Sequence, residues 1–104
     1  MRYAKAFVRD KYRFNQWGKI KIAQSLRQKH LASADILVAM EEIDDEEYFS
    51  ILEHLLERKL QGIKARNVFE RNGKLIRFAA SRGYEMDDVL RCMKRIGCDD
   101  DTFE

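Results

Sequence analysis

Side chains that could perform catalysis or hold a metal are few in this sequence, and their spacing matches no known site. The two histidines, His30 and His54, and the two cysteines, Cys92 and Cys98, lack the spacings of zinc sites or thiol–histidine pairs. Neither a GxxxxGKS/T nor a GxGxxG phosphate-binding motif is present. The sequence therefore predicts a non-enzymatic protein without a metal, a cofactor or a small-molecule substrate.

The acidic run EEIDDEE at residues 41–47 could form a cluster of catalytic carboxylates or could mark a helix start. In the second interpretation Asp44 or Asp45 caps a new helix, and Glu46 and Glu47 interact favourably with its N-terminal dipole. The sequence supplies no base, nucleophile or ligand set to accompany the run. The helix start is therefore favoured.

Positive and negative charges are separated along the chain, although the net charge is only +2. Residues 1–31 contain nine basic side chains and one acidic one, residues 32–57 contain nine acidic and no basic ones, and residues 58–95 contain eleven basic and four acidic ones. If the two basic blocks meet in space, they form a surface suited to an anionic partner. The alternative is that these charges only solvate ordinary helix faces.

The apolar pattern of residues 17–43 recurs 53 residues later without a gap. The paired positions are Ile22 with Leu75, Leu31 with Tyr84, Ile36 with Val89, Met40 with Met93, and Ile43 with Ile96. Proline is absent and no period-two strand pattern is found. We predict an all-α protein of about six helices, built as tandem three-helix repeats in an elongated, right-angled or curved array. The predicted repeats are residues 1–43 and 44–97, followed by an acidic, disordered tail at 98–104.

Several local features follow from the same pattern. Asn15 is expected to cap the second helix, and Asn72 with Gly73 to interrupt the fifth. His30 stands at the position of Gly83 in the other repeat, so it is predicted to be a left-handed turn residue and not a ligand. Cys92 lies on an apolar stripe and is expected to be a buried thiol.

The compartment is predicted from the cysteines and the N-terminal residues. Two cysteines without a disulfide-like pattern suggest a reducing environment. The segment MRYAKAFVRD carries charges throughout, so it is neither a signal peptide nor a membrane span. A cytoplasmic protein without membrane contact is expected.

Three segments, RYAKAFVRDK, WGKIKI and RGYEMDDVL, occur in an order that resembles the RecX regulatory proteins of bacteria. The matching residues are Tyr3, Ala4, Phe7 and Val8 in the first helix, Trp17, Gly18 and Ile22 at the second, and Arg82, Gly83 and Tyr84 at the second turn. The resemblance implies a C-terminal portion of such a protein, with another repeat upstream. It also implies binding in the groove of the RecA filament on DNA, which suppresses RecA's ATPase, strand-exchange and coprotease activities in recombination and the SOS response.

The partner-binding surface is predicted from basic residues on the repeated helices. Its eight members are Arg13, Lys19, Lys21, Arg27, Lys29, Lys74, Arg77 and Arg82. A general helical DNA-binding module that never contacts RecA is the main alternative, and a purely structural scaffold is another. A helix-turn-helix reader is disfavoured, because the third helix, ADILVAMEEI, is apolar and acidic.

Overall fold

The computed structural model describes residues 1–98 and consists there of six α-helices without a strand. Of the predicted tail at 98–104, only Cys98 is described, and it is buried; the rest lies outside the described residues. The helices are α1 (Arg2–Arg13), α2 (Lys19–Gln28), α3 (Ser33–Met40), α4 (Asp45–Gly62), α5 (Val68–Ser81) and α6 (Met86–Arg95).

The helices form two three-helix units, because α1, α2 and α3 pack on one another, as do α4, α5 and α6. Helices α2 and α5 end 53 residues apart, and so do the starts of α3 and α6, as the repeat predicts. The units stack into an elongated body of 47 × 23 × 23 Å. The predicted all-α fold of tandem three-helix repeats is confirmed, whereas the exact domain limits stay a prediction.

The turn between the second and third helix has the same conformation in both repeats. His30 has a φ of 68° and Gly83 a φ of 94°, both left-handed. The next residue closes each turn, since Leu31 N–H donates to Leu26 O at 3.3 Å and Tyr84 N–H to Ala79 O at 3.2 Å. The prediction that His30 is a left-handed turn residue is thus confirmed.

One apolar core runs through both repeats. Ile22 and Leu75, which the repeat places at equivalent positions, are both fully buried, as are Leu52 and Leu56 of α4. Burying one such side chain contributes about 1.5–3 kcal/mol to stability. Cys92 is also fully buried, and burial raises the pKa of its thiol to about 12, so it acts as a small apolar residue, as predicted.

Helix α2 is capped by the other repeat, so the expectation that Asn15 caps it is wrong. Gly18 N–H donates to Arg82 O at 2.8 Å and Ile20 N–H to Gly83 O at 3.0 Å. Lys19 N–H donates to the Tyr48 hydroxyl at 2.9 Å. The first N–H groups of a helix have no partner within it, and here the second repeat supplies the acceptors.

Asp44 occupies the capping position of α4, but its side chain makes no capping hydrogen bond. The three acidic residues after it, Asp45, Glu46 and Glu47, lie in the first turn of the helix as predicted. They interact favourably with the helix dipole there.

Helix α5 has a side-chain cap of its own. It begins at Val68, four residues before the position equivalent to the start of α2. Asn67 Oδ1 accepts a hydrogen bond from Glu70 N–H at 2.8 Å, and Glu70 Oε1 accepts one from Arg66 N–H at 2.9 Å. The Arg66 N–H lowers the pKa of the Glu70 carboxyl. The prediction that Asn72 and Gly73 interrupt α5 is wrong, because the helix is continuous from Val68 to Ser81. A glycine inside a capped helix costs only about 1 kcal/mol, which the helix tolerates.

We expect Asn67→Ala to lower the free energy of unfolding by about 1 kcal/mol, because it removes the side-chain acceptor of the α5 cap. Asn15→Ala is the matched control and should change stability by less than about 0.5 kcal/mol, since α2 is capped without it. Urea denaturation of both variants measures the difference. Equal losses in the two variants would contradict these capping assignments.

Candidate partner-binding surface

The junction between the repeats is a close approach of backbone to backbone. Gly18 is buried against Gly83 so tightly that a Cβ on Gly18 would overlap the backbone of Gly83 and Tyr84. A Cβ on Gly83 would in turn overlap Lys21. Only glycine fits at either position.

Hydrogen bonds from the second repeat also hold the α1–α2 connection. Gln16 has a φ of 59°, which is unusual for a residue with a side chain, and its carbonyl accepts from the Tyr84 hydroxyl at 3.2 Å. Arg82 Nη1 donates to Asn15 O at 3.3 Å. Burial raises the pKa of both Tyr48 and Tyr84, so their hydroxyls stay protonated across the physiological range.

Two of the predicted binding residues form ion pairs with the acidic run at this junction. Arg13 Nε lies 3.0 Å from Glu47 Oε2, and Lys19 Nζ lies 3.2 Å from Asp45 Oδ1. Arg9 makes a similar pair with Glu42 at 2.8 Å. Such partly exposed pairs contribute about 0–1 kcal/mol each. The acidic run thus faces basic residues of the first repeat.

Lysines of the first repeat surround two aromatic rings in the groove between α1 and α2. Lys21 Nζ lies 4.5 Å from the ring centre of Trp17, and Lys29 Nζ lies 5.2 Å from that of Phe7. Lys11 reaches both rings, at 4.9 and 5.2 Å. The rings contact each other edge to face at 6.4 Å. These distances fall in the range of cation–π attraction, which orients the ammonium groups along the groove.

The second repeat has a smaller group of basic side chains around one ring, between α4 and α5. Phe78 lies in this groove, 5.0 Å from Lys59 Nζ and 5.6 Å from the guanidinium carbon of Arg82. Lys74 Nζ donates to Lys64 O at 2.6 Å, and Arg77 lines the same open concavity. The groove of each repeat is therefore lined by both basic and aromatic side chains.

The two grooves carry basic residues at equivalent positions of the repeat. Lys21 and Lys74 are 53 residues apart, as are Lys29 and Arg82, so they occupy equivalent positions. Lys21 of the first groove packs on Gly83, which follows Arg82 of the second groove. We call the residues of the two grooves together the basic–aromatic stripe. Its members are Phe7, Lys11, Trp17, Lys21, Lys29, Lys59, Lys74, Arg77, Phe78 and Arg82.

Five of the eight predicted residues lie in the two grooves of the stripe, and the other three lie elsewhere. The five are Lys21, Lys29, Lys74, Arg77 and Arg82. Arg13 and Lys19 face α4 in ion pairs, and Arg27 lines a different groove between α2 and α3, beside Leu37. Sequence reasoning missed Lys11 and Lys59. Lys11 follows Phe7 by one helical turn, so helical spacing alone would have placed it beside that ring.

Residues 1–98 contain no group of three or more side chains able to hold a metal ion. None of their helices is long and apolar enough to cross a membrane.

Two family profiles match this chain. Residues 1–40 match the second three-helix domain of RecX, and residues 45–93 match the third. The chain belongs to the RecX family. It is also similar to a protein named "Regulatory protein RecX" from Pelodictyon phaeoclathratiforme, with 29% identity over 97 residues. That alignment covers 90% of this chain and 59% of the relative, so the chain spans about three fifths of the RecX relative's length. No solved structure matches the chain. The resemblance to RecX is confirmed.

Proposed function

We propose that this RecX-family chain binds the RecA filament on DNA and inhibits RecA's ATPase, strand-exchange and coprotease activities in recombination and the SOS response. Family membership supports the choice of partner. The observation that carries the proposal is the basic–aromatic stripe, which has members in both repeats of a body 47 Å long. Such a surface suits a long, negatively charged partner such as a nucleoprotein filament.

The mechanism requires a rigid contact that spans more than one filament subunit. The Gly18–Gly83 contact and the hydrogen bonds of Tyr48 and Tyr84 hold the two halves of the stripe in one orientation. A rigid body seated along a groove opposes relative movement of the subunits that form it. Binding that blocks such movement would inhibit RecA without any chemistry by this chain.

The test reverses one charge in each half of the stripe. We expect Lys21→Glu with Lys74→Glu to raise the concentration needed for half-inhibition of RecA ATPase at least about tenfold, since each change replaces attraction by repulsion. Arg91→Glu with Lys94→Glu is the control: it makes the same change in charge on α6, which contributes no residue to the stripe. The control should inhibit like the wild type.

Thermal melts of both double variants establish that each remains folded. If a folded stripe variant inhibits as well as the wild type, the stripe is not the contact surface. If the wild type itself has no effect on RecA, the proposed function is wrong.

A general DNA-binding module is the second candidate, because the same positive stripe would attract any duplex. It predicts retention on bare DNA that falls steeply with salt, and no additional retention by RecA filaments. Pull-down with RecA filaments and with DNA alone, at matched salt, separates the two functions.

A further inference from the structure

An open concavity, which we call the α5 concavity, lies at the start of α5. Phe69 lines it and is 73% exposed, beside Ile76, which the core buries only in part. Arg66 and Arg77 line it as well, and the Arg66 side chain is 91% exposed. An exposed ring has no role in the core, so the concavity indicates a binding surface for an acidic segment with an apolar side chain.

The α5 concavity is positive, although Glu70 also lines it. The Glu70 carboxylate already accepts a hydrogen bond from Arg66 N–H at 2.9 Å and lies 3.4 Å from Arg66 Nε. Arg77 Nη1 lies 3.5 Å from the position that a Cβ on Gly73 would occupy, and within residues 1–98 Arg77 forms no ion pair. Two guanidinium groups thus face one carboxylate.

An acidic run follows the third helix of each repeat in the sequence. Residues 44–47 follow α3 and carry four carboxylates but for one isolated apolar residue before them, and residues 99–104 follow α6 and carry four as well. The 53-residue shift pairs Glu47 with Asp100 and Arg13 with Arg66. In the first repeat, Arg13 Nε lies 3.0 Å from Glu47 Oε2. The recurrence therefore predicts that Asp100 meets Arg66.

The buried Cys98, whose N–H donates to Met93 O at 2.7 Å, fixes the point from which residues 99–104 leave the second repeat. The same shift pairs Cys98 with Asp45, and Asn72 with Lys19. In the first repeat, Lys19 Nζ lies 3.2 Å from Asp45 Oδ1. Cys98 is therefore expected beside Asn72, which lines the α5 concavity. Six extended residues span at most about 20 Å, enough to cross it.

We propose that residues 99–104 bind in the α5 concavity of the same chain and compete there with anionic partners of the basic–aromatic stripe. The Asp100 carboxylate pairs with Arg66, and the Phe103 ring covers Phe69. Competition follows because Arg77 lines both this concavity and the second groove of the stripe. The inference goes beyond the proposed function, since the contact lies within one chain and does not require RecA.

The covalent connection favours this occupant over a separate acidic peptide. Exposed ion pairs are individually weak, so a free peptide would need a high concentration to stay bound. A segment tethered by a few residues has an effective concentration in the millimolar range. Composition alone predicts a disordered tail here, because it takes no account of a complementary surface within reach.

NMR spectra of the ¹⁵N-labelled full chain test the contact directly. We expect Asp100→Asn and Phe103→Ala each to shift the Arg66 Nε–H and Gly73 N–H signals, because each change removes one part of the contact. The wild-type signals should move towards those of Asp100→Asn as NaCl rises to about 0.5 M, since salt screens exposed charges. Asp87→Asn is the matched control: it removes an exposed carboxylate at the start of α6 and should leave both signals in place.

Titration with a heparin decasaccharide, a sulfated polyanion, measures the competition. We expect the combined variant Asp99→Asn, Asp100→Asn and Asp101→Asn to bind about threefold more tightly than the wild type, as when about two thirds of the molecules hold the segment in place. The control makes the same change in net charge at exposed sites elsewhere, with Asp35→Asn, Glu41→Gln and Asp87→Asn. Its gain in affinity should be clearly smaller.

Three results would overturn the inference. The first is that neither Asp100→Asn nor Phe103→Ala moves the two α5 signals. The second is a dependence of those signals on protein concentration, which would assign the contact to a second copy of the chain. The third is an equal gain in heparin affinity for the tail variant and its control. RecA is absent from all these measurements, so they fail or succeed independently of the proposed function.

Discussion

Gly18→Ala is expected to lower the free energy of unfolding by about 3 kcal/mol, although it adds only one methyl group. Gly18 has an ordinary φ of −80°, so the cost is not conformational. The methyl group would overlap the backbone of Gly83 and Tyr84, which cannot move aside as a flexible side chain can. Separating the repeats to make room also lengthens the hydrogen bonds from Gly18 and Ile20 to the second repeat. Urea denaturation followed by circular dichroism measures the loss.

Gly62→Ala is the control for this change, because Gly62 lies in a helix with no atom within 4 Å of an added Cβ. It should be neutral or should stabilise the protein by up to about 1 kcal/mol. A second pair of variants separates the free-energy cost of steric overlap from the cost of a left-handed backbone conformation. Gly83→Ala combines a φ of 94° with overlap on Lys21, whereas Gly97→Ala has a φ of 85° and open space. Equal losses for Gly83→Ala and Gly97→Ala would show that the junction is not tight.

Tyr48→Ala should cost about 3–5 kcal/mol, because it empties a fully buried site where three rings converge. The Tyr48 ring lies 5.3 Å from Tyr84 and 6.1 Å from Phe49, and 6.5 Å from Tyr12 of the first repeat. Its loss therefore removes packing both within the second repeat and across the junction. Thermal and urea unfolding measure the effect.

Tyr48→Phe isolates the contribution of the hydroxyl. It retains the ring but leaves Lys19 N–H, at the start of α2, without its acceptor, so we expect a loss of about 1–3 kcal/mol. Tyr3→Phe removes a hydroxyl from an exposed ring and should change stability by less than about 0.5 kcal/mol. If Tyr48→Phe were as harmless as Tyr3→Phe, the cross-repeat cap of α2 would be unimportant for stability.

The fold was predictable because its signals lie in the apolar pattern of each helix and in the recurrence of that pattern. The 53-residue recurrence places equivalent helices in register, and the left-handed turn at His30 follows from Gly83 in the other repeat. The cap of α2 was not predictable, since its acceptors come from Tyr48, Arg82 and Gly83, 29 residues or more from their donors. No pattern within one helix reports a hydrogen bond across a junction, so Asn15 looked like the natural cap.

The candidate surface was predictable only in part, because its charges can be read from the sequence but their partners cannot. Charge blocks identify which helices are basic, but they do not say which basic side chains face an acidic neighbour. Arg13 meets the run at 41–47 because α1 packs on α4, and Lys19 meets it because the start of α2 is hydrogen-bonded to Tyr48 of α4. Phe7 and Trp17 were identified from the sequence only as residues of the family resemblance, whereas the structure shows lysines gathered on both rings.

His30 limits how this array can grow. The first turn has nearly the backbone conformation of the second, but it carries a Cβ and an imidazole where Gly83 has a hydrogen atom. A helix start approaching His30 as Lys21 approaches Gly83 would collide with that side chain. The junction is thus self-limiting: copies of this chain cannot polymerise head to tail by reusing it, and any neighbour seated over the first turn must adopt a different geometry.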